Sequence, residues 1–282
     1  MSQCESRVPS GASGRLQSGI FARFVWGLVL AFVLSLPGCA SMDPKVAEEQ
    51  RQLAAATRDV GLDHLRNGRT AMAIRKIRAA IELDPADPGS HLGLGEAYRR
   101  KGMLEESEAE LLLALELSER PSDFNYQETV VNLSALYIQM ERYHEAGVLC
   151  DTLIDDPTFA TPWRALTNRG WAEYRLGRLD LARASFEQAI DFHPRYSPAH
   201  LNLGIVEQDQ RRWMQAIAHY ELAVEGNRLP HGALAETNYR MAEAYIAIGQ
   251  RGKAIEHFSM AIEKSPYGEW GEQSRSYLER LR

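Results

Sequence analysis

The sequence predicts an all-α chain built by repetition, on three observations. Gly170 and Gly204 lie 34 residues apart. The stretch between them reads as a helix, a tight turn at Gly177, a second helix carrying Ala182, Phe186 and Ala189, a stop at Pro194, and the same pattern begun again. After residue 45 Ala, Leu, Glu, Arg and Gln dominate, with no alternating Val/Ile/Thr-rich runs bounded by turn residues. An array of this kind grows by stacking, so the number of repeats says more than the 282-residue length.

The chain starts with a Ser/Gly-rich stretch to Gly19, and Arg23 then precedes an apolar run from Phe24 to Leu36. That run fits the apolar region of a secretory leader and is too short to span a bilayer as a permanent helix. It ends in Leu36-Pro37-Gly38-Cys39-Ala40, which resembles a bacterial lipoprotein cleavage box, with Pro37 where a small residue is usual. Residues 1–38 are therefore expected to be a lipoprotein signal peptide, Cys39 the lipidated residue (a palmitate-type anchor), and 39–52 a polar linker. An ordinary leader cleaved near Ala40 is the alternative. Several acyl chains on one residue make attachment stable, at roughly 0.8 kcal/mol per buried methylene. By resemblance to lipoprotein sorting, Ala40 after the cysteine implies the periplasmic face of the outer membrane.

Six repeats follow over residues 53–267, starting near Ala54, Pro88, Gln127, Trp163, Ser197 and Ala235. They resemble tetratricopeptide repeats, in which helix A carries an apolar residue at position 7, a small one at 8 and an aromatic at 11, while helix B carries positions 20, 24 and 27. The second repeat shows Leu94, Gly95, Tyr98, Ser107, Leu111 and Ala114, and the sixth Met241, Ala242, Tyr245, Ala254, Phe258 and Ala261. Small residues let helices A and B approach, and large ones fill the hole left by the neighbour. In the fourth repeat Arg169 and Glu173 break positions 7 and 11. The uneven starts put extra residues at Pro121–Phe124, Asp156–Phe159 and Arg228–His231, which are expected to be surface loops. Residues 268–282, with Trp270, Tyr277, Leu278 and Leu281, are expected to form a capping helix. The resemblance implies a right-handed superhelical solenoid.

Net charge is −6, and −8 without the first 38 residues, where Arg7, Arg15 and Arg23 outweigh Glu5. A chain this acidic attracts no phosphate backbone in bulk, so nucleic acid is a poor partner. His144-Glu145 opens a zinc-protease pair whose second histidine is replaced by Val148. The other histidines are scattered, with His91 and His200 at one repeat offset, as scaffold positions would be. No phosphate-cradling loop or Ser/His/Asp spacing stands out, so no enzyme, metal or cofactor is expected. Cys150 falls at a core position and reads as a buried, inert thiol.

In tetratricopeptide repeats the concave face is lined by fixed offsets of helix A. The resemblance makes Leu62, Leu92, Val131, Ile138, Trp171, Tyr174, Leu201, Ile205 and Tyr239 the candidate partner-binding groove. It is apolar and lacks the Lys/Asn array that clamps a C-terminal carboxylate in chaperone-binding relatives, so a hydrophobic or amphipathic segment is the expected occupant. Asn132, Asn168 and Asn202 share offset 6 and read as structural.

Leader, six repeats and cap together resemble the pilotin family of type IV pilus biogenesis lipoproteins. That resemblance implies a scaffold that helps an outer-membrane secretin localise and multimerise. A periplasmic adaptor for peptidoglycan hydrolases or proteases, or a subunit of another envelope assembly complex, are the other readings.

Overall fold

The structure, a computed structural model, describes residues 43–121, 123–226 and 229–281. The leader, Cys39 and the lipoprotein box lie outside the described residues. Contacts divide the chain at Glu48, and the repeats belong to the unit Glu49–Arg282.

Thirteen helices are described: α1 (Pro44–Arg66), α2 (Thr70–Leu83), α3 (Pro88–Lys101), α4 (Leu104–Leu117), α5 (Phe124–Gln139), α6 (Tyr143–Ile154), α7 (Pro162–Arg175), α8 (Leu179–Phe192), α9 (Ser197–Asp209), α10 (Trp213–Glu225), α11 (His231–Ala247), α12 (Arg251–Lys264) and α13 (Glu269–Leu281). Among the described residues there is no strand. Successive pairs are the A and B helices of six repeats. From α3 onward each A helix also touches the next A helix, whereas among the described residues no B helix touches another B helix, so the A helices form the inner layer of a solenoid.

Two positions explain why the hairpins close. At position 8 of helix A stand Gly61, Gly95, Ser134, Gly170, Gly204 and Ala242; opposite, at position 24 of helix B, stand Ile77, Leu111, Cys150, Phe186, Tyr220 and Phe258, each at most 1% exposed. A Cβ on Gly204 would lie 2.5 Å from the Tyr220 ring, so glycine sets the A–B distance there. The third repeat trades the other way, with the larger Ser134 facing the smaller Cys150.

Every A–B turn passes through the left-handed region at position 15. Gly68, Gly102, Gly177 and Gly249 adopt it with φ of 71°, 79°, 76° and 76°, and Glu141 and Arg211 adopt it with φ of 61° and 58°. A Cβ is disfavoured in that conformation, so two turns carry local strain.

Three expectations about boundaries and loops are corrected. The chain is helical from Pro44, ahead of residue 53, so much of the expected 39–52 linker is the start of α1. Phe159 and Leu229, in two of the joints expected to be surface loops, are 6% and 8% exposed because each plugs the core beside it. Phe124, in the third, is 73% exposed. Arg169 at the apolar position 7 turns outward and pairs with Asp151 at 3.2 Å.

Helix α13 sits as a seventh A helix. Trp270 and Tyr277 pack on Tyr239, with ring centroids 5.1 and 5.9 Å away, and Tyr277 stacks on Phe258 at 4.9 Å. At positions 7, 8 and 11, where the second and sixth repeats place Leu94, Gly95 and Tyr98 or Met241, Ala242 and Tyr245, α13 places Arg275, Ser276 and Glu279, all exposed. A polar face there needs no covering helix.

Candidate functional site

The inner face divides into an open half and a filled half. At the open end Leu62 on α1 and Leu92 on α3 are half-buried and line a depression with Leu65, Gly93, Phe124 and Asn132. A Cβ on Gly93 would lie 2.8 Å from Leu62 Cδ2, so glycine leaves room for the Leu62 side chain at the floor. The charges on the rim are satisfied internally. Arg58 Nη1 lies 2.9 Å from Asp87, and Glu96 holds Arg99 at 2.8 Å and Arg100 at 2.6 Å. Asp87 also caps α3, accepting from the Gly89 and Ser90 amides. Burial pushes the Asp87 carboxyl upward, but the Ser90 hydroxyl and Arg58 guanidinium outweigh it and hold the group below the usual carboxylate range. What remains for an occupant is aliphatic and aromatic surface with carboxamides at the edge.

Further along, Ile138 is half-buried against Leu133, Leu136 and Ala172. Trp171 and Tyr174 on α7 are half-buried, their ring centroids 5.1 Å apart. The Tyr174 hydroxyl donates to Asp209 at 2.7 Å, and burial together with that carboxylate pushes the phenol up to about 12.

Four groove candidates prove to be core. Val131, Leu201, Ile205 and Tyr239 are 5%, 7%, 2% and 7% exposed. Position 5 is wedged between consecutive A helices, so its exposure depends on what the next repeat brings. For Tyr239 the next helix is α13 with its two aromatics, and Leu201 and Ile205 join the same core with Trp171 and Tyr174 packed against it. Phe124 was missed as a site residue. Its signal was the extra joint at Pro121–Phe124, which puts an aromatic where packing does not call for one.

The polar groups singled out in the sequence do scaffold work. His91 and His200 bond Pro85 O and Pro194 O through Nε2, each at 3.0 Å. Their Nδ1 atoms face helix B, where His91 meets Glu110 at 2.7 Å and His200 meets His219 Nδ1 at 3.3 Å. Asn238 and His257 make the equivalent link in the sixth repeat at 3.0 Å. Asn168 donates to Ser134 Oγ at 2.9 Å and Asn132 to Glu128 O at 2.8 Å. Among the described residues no group of three metal-ligating side chains occurs, and no helix is long and apolar enough to cross a membrane. Cys150 is buried and its thiol is pushed up to about 12 by burial.

Tetratricopeptide repeat models match residues 59–123, 163–196 and 196–265. The chain is a tetratricopeptide-repeat protein. Among curated proteins it is similar to the type IV pilus assembly protein PilF of Pseudomonas aeruginosa, 22% identical over 203 residues that cover 71% of this chain and 79% of PilF. A second relative is tetratricopeptide repeat protein 16 of Macaca fascicularis, 27% identical over 191 residues; the match covers 62% of this chain but spans about a fifth (21%) of that protein's length. Among solved structures, the type IV pilus biogenesis factor PilW superposes with a TM-score of 0.65 at 20% identity, covering 79% of this tetratricopeptide-repeat chain and 98% of PilW. The structure of Pseudomonas aeruginosa PilF gives 0.63 at 18%, covering 82% and 99%. These superpositions establish a shared fold.

Proposed function

We propose that this protein is an outer-membrane-anchored periplasmic scaffold that assists type IV pilus biogenesis, helping a secretin subunit reach the outer membrane and multimerise. The observation that carries the reading is the match to PilF along most of both chains, supported by superpositions that take in nearly all of PilF and PilW. Lipid on Cys39 tethers the scaffold, and the open half of the inner face shields an apolar segment of the partner until neighbouring subunits cover it. Interaction is the chemistry this surface offers, because its charged groups are internally paired and its free surface is apolar.

The test is a deletion strain of the source organism complemented with the wild-type chain or with Cys39→Ala, followed by an immunoblot for heat-resistant secretin multimers and a count of surface pili. Multimers restored by the wild type and reduced in the outer membrane by Cys39→Ala are the expected result. Normal multimers and pili in the deletion strain contradict the proposal.

A further inference from the structure

The array is finished at one end and open at the other. Each B helix packs on the A helix that follows it, and that contact covers position 7, as where Leu94 shares a core with Ile77, Ile74 and Ile81 of α2. Leu94, Leu133, Leu203 and Met241 at this position are at most 2% exposed. Among the described residues no helix precedes α1, and its position 7, Val60, is 48% exposed. At the far end α13 turns Arg275, Ser276 and Glu279 to solvent. A solenoid needs such a polar finish at both ends, and α1 does not supply one.

The open face is built by α1 and α2 on the side away from α3. Leu53 stands two turns before Val60 on α1 and Met72 joins them from α2, the two being 56% and 40% exposed. A Cβ on Gly61 would lie 3.3 Å from Lys76 Cβ, which sets Lys76 and, one turn away, Met72 beside Val60. Gln50 donates to Leu83 O at 2.8 Å and ties this part of α1 to the end of α2. Exposed charges of both signs border the apolar side chains, with Glu49 one turn from Leu53 and Arg75 and Lys76 one turn from Met72.

We propose that this end of the solenoid docks on the bilayer surface, with Leu53, Val60 and Met72 entering the boundary between headgroups and acyl chains. The inference rests on the lipid at Cys39 in the reading above. Five residues separate Cys39 from Pro44, where α1 begins, so the helix starts at most about 18 Å from the anchored residue. The end left apolar is the end the tether holds at the membrane. A stable protein interface takes about 20–30 residues a side, far more than the three apolar side chains here. A tethered contact succeeds with less, because the anchor keeps the face at an effective concentration on the order of millimolar. Bordering charges of both signs suit a zwitterionic headgroup layer. Docking makes the lipid one of two attachment points, which fixes how the inner face is presented to a partner.

The test is methionine oxidation by chloramine-T, read by mass spectrometry, on the full chain purified from membranes and inserted into preformed vesicles of phosphatidylcholine and phosphatidylethanolamine. A protease site placed after Ser41 lets the tether be cut in the same sample. Met72, Met214 and Met260 are all exposed, so the last two serve as references within the molecule. Cutting the tether should speed oxidation of Met72 at least about threefold, as expected when most tethered copies are docked, and leave Met214 and Met260 unchanged. In Leu53→Asp with Val60→Asp, shown by circular dichroism to be folded, Met72 should react at the fast rate before and after the cut. If that pair does not fold, Leu53→Asp alone gives the same comparison. A wild-type Met72 whose rate the cut does not change overturns the inference and leaves the anchored scaffold standing. An intact mass without lipid on Cys39 overturns both. Protection of Met72 that grows with the protein-to-lipid ratio assigns the face to a second copy and overturns the membrane contact.

Discussion

Gly170 faces Phe186 so closely that a Cβ on the glycine would lie 2.6 Å from the ring's Cε1. The ring is fully buried and the gap is set by the A–B helix distance of the fourth repeat. Gly170→Ala is therefore expected to cost about 1–3 kcal/mol as an overpacking substitution, measured by urea unfolding. Gly147→Ala, where a Cβ meets nothing within 4 Å, is the control and should be neutral or stabilising.

Glu141 and Arg211 occupy left-handed turns where the other four repeats have glycine. Glu141→Gly relieves the strain but loosens the unfolded chain, and the first effect is the larger. We expect a net gain of about 0.5–1 kcal/mol. Gly177→Ala at φ 76° should cost about 1 kcal/mol in the same assay.

Two histidines at related positions give opposite pH dependence. The Glu110 carboxylate raises His91 above its ordinary value against the opposing effect of burial. Its contribution is full below the unfolded value of about 6.5 and is lost as pH rises through the folded value. His219 is lowered by burial and then by His200, so its contribution is full above about 6.5 and is lost as pH falls. Unfolding of His91→Gln and His219→Gln between pH 5 and 8 tests the signs. The deficit of His91→Gln relative to wild type should shrink as pH rises, and that of His219→Gln should shrink as pH falls.

The division of the inner face separates folding from binding. Phe124→Asp, at a side chain 73% exposed, should leave the melting temperature within a few degrees of wild type. Tyr239→Asp buries a carboxylate among Phe258, Trp270 and Tyr277 and should lower it strongly. Equal melting temperatures for the two variants would contradict the assignment.

Much of this fold was legible because the repeat imposes it. The pairing of Gly170 with Phe186, the turn at Gly177 and the buried Cys150 all follow from offsets that recur along the chain. The groove was less legible. Position 5 is open at Leu92 but closed at Leu201 and Tyr239, and the difference comes from side chains supplied by another repeat or by α13. Phe159 and Leu229 turn inward for the same kind of reason, since a joint residue is buried only when the neighbouring core has a hole of its size. The start of α1 at Pro44 was hidden because Asp43-Pro44 reads equally as a linker or as the first turn of a helix.

The most direct test of the scaffold reading is recovery of partners from detergent-solubilised membranes of the source organism with the tagged full chain, beside Leu92→Asp and Phe124→Asp, each fold-checked. Mass spectrometry should find a secretin subunit with the wild type and much less with the two inner-face variants. Peptidoglycan hydrolases or an insertase in place of a secretin, or a secretin recovered equally with all three, would contradict the account.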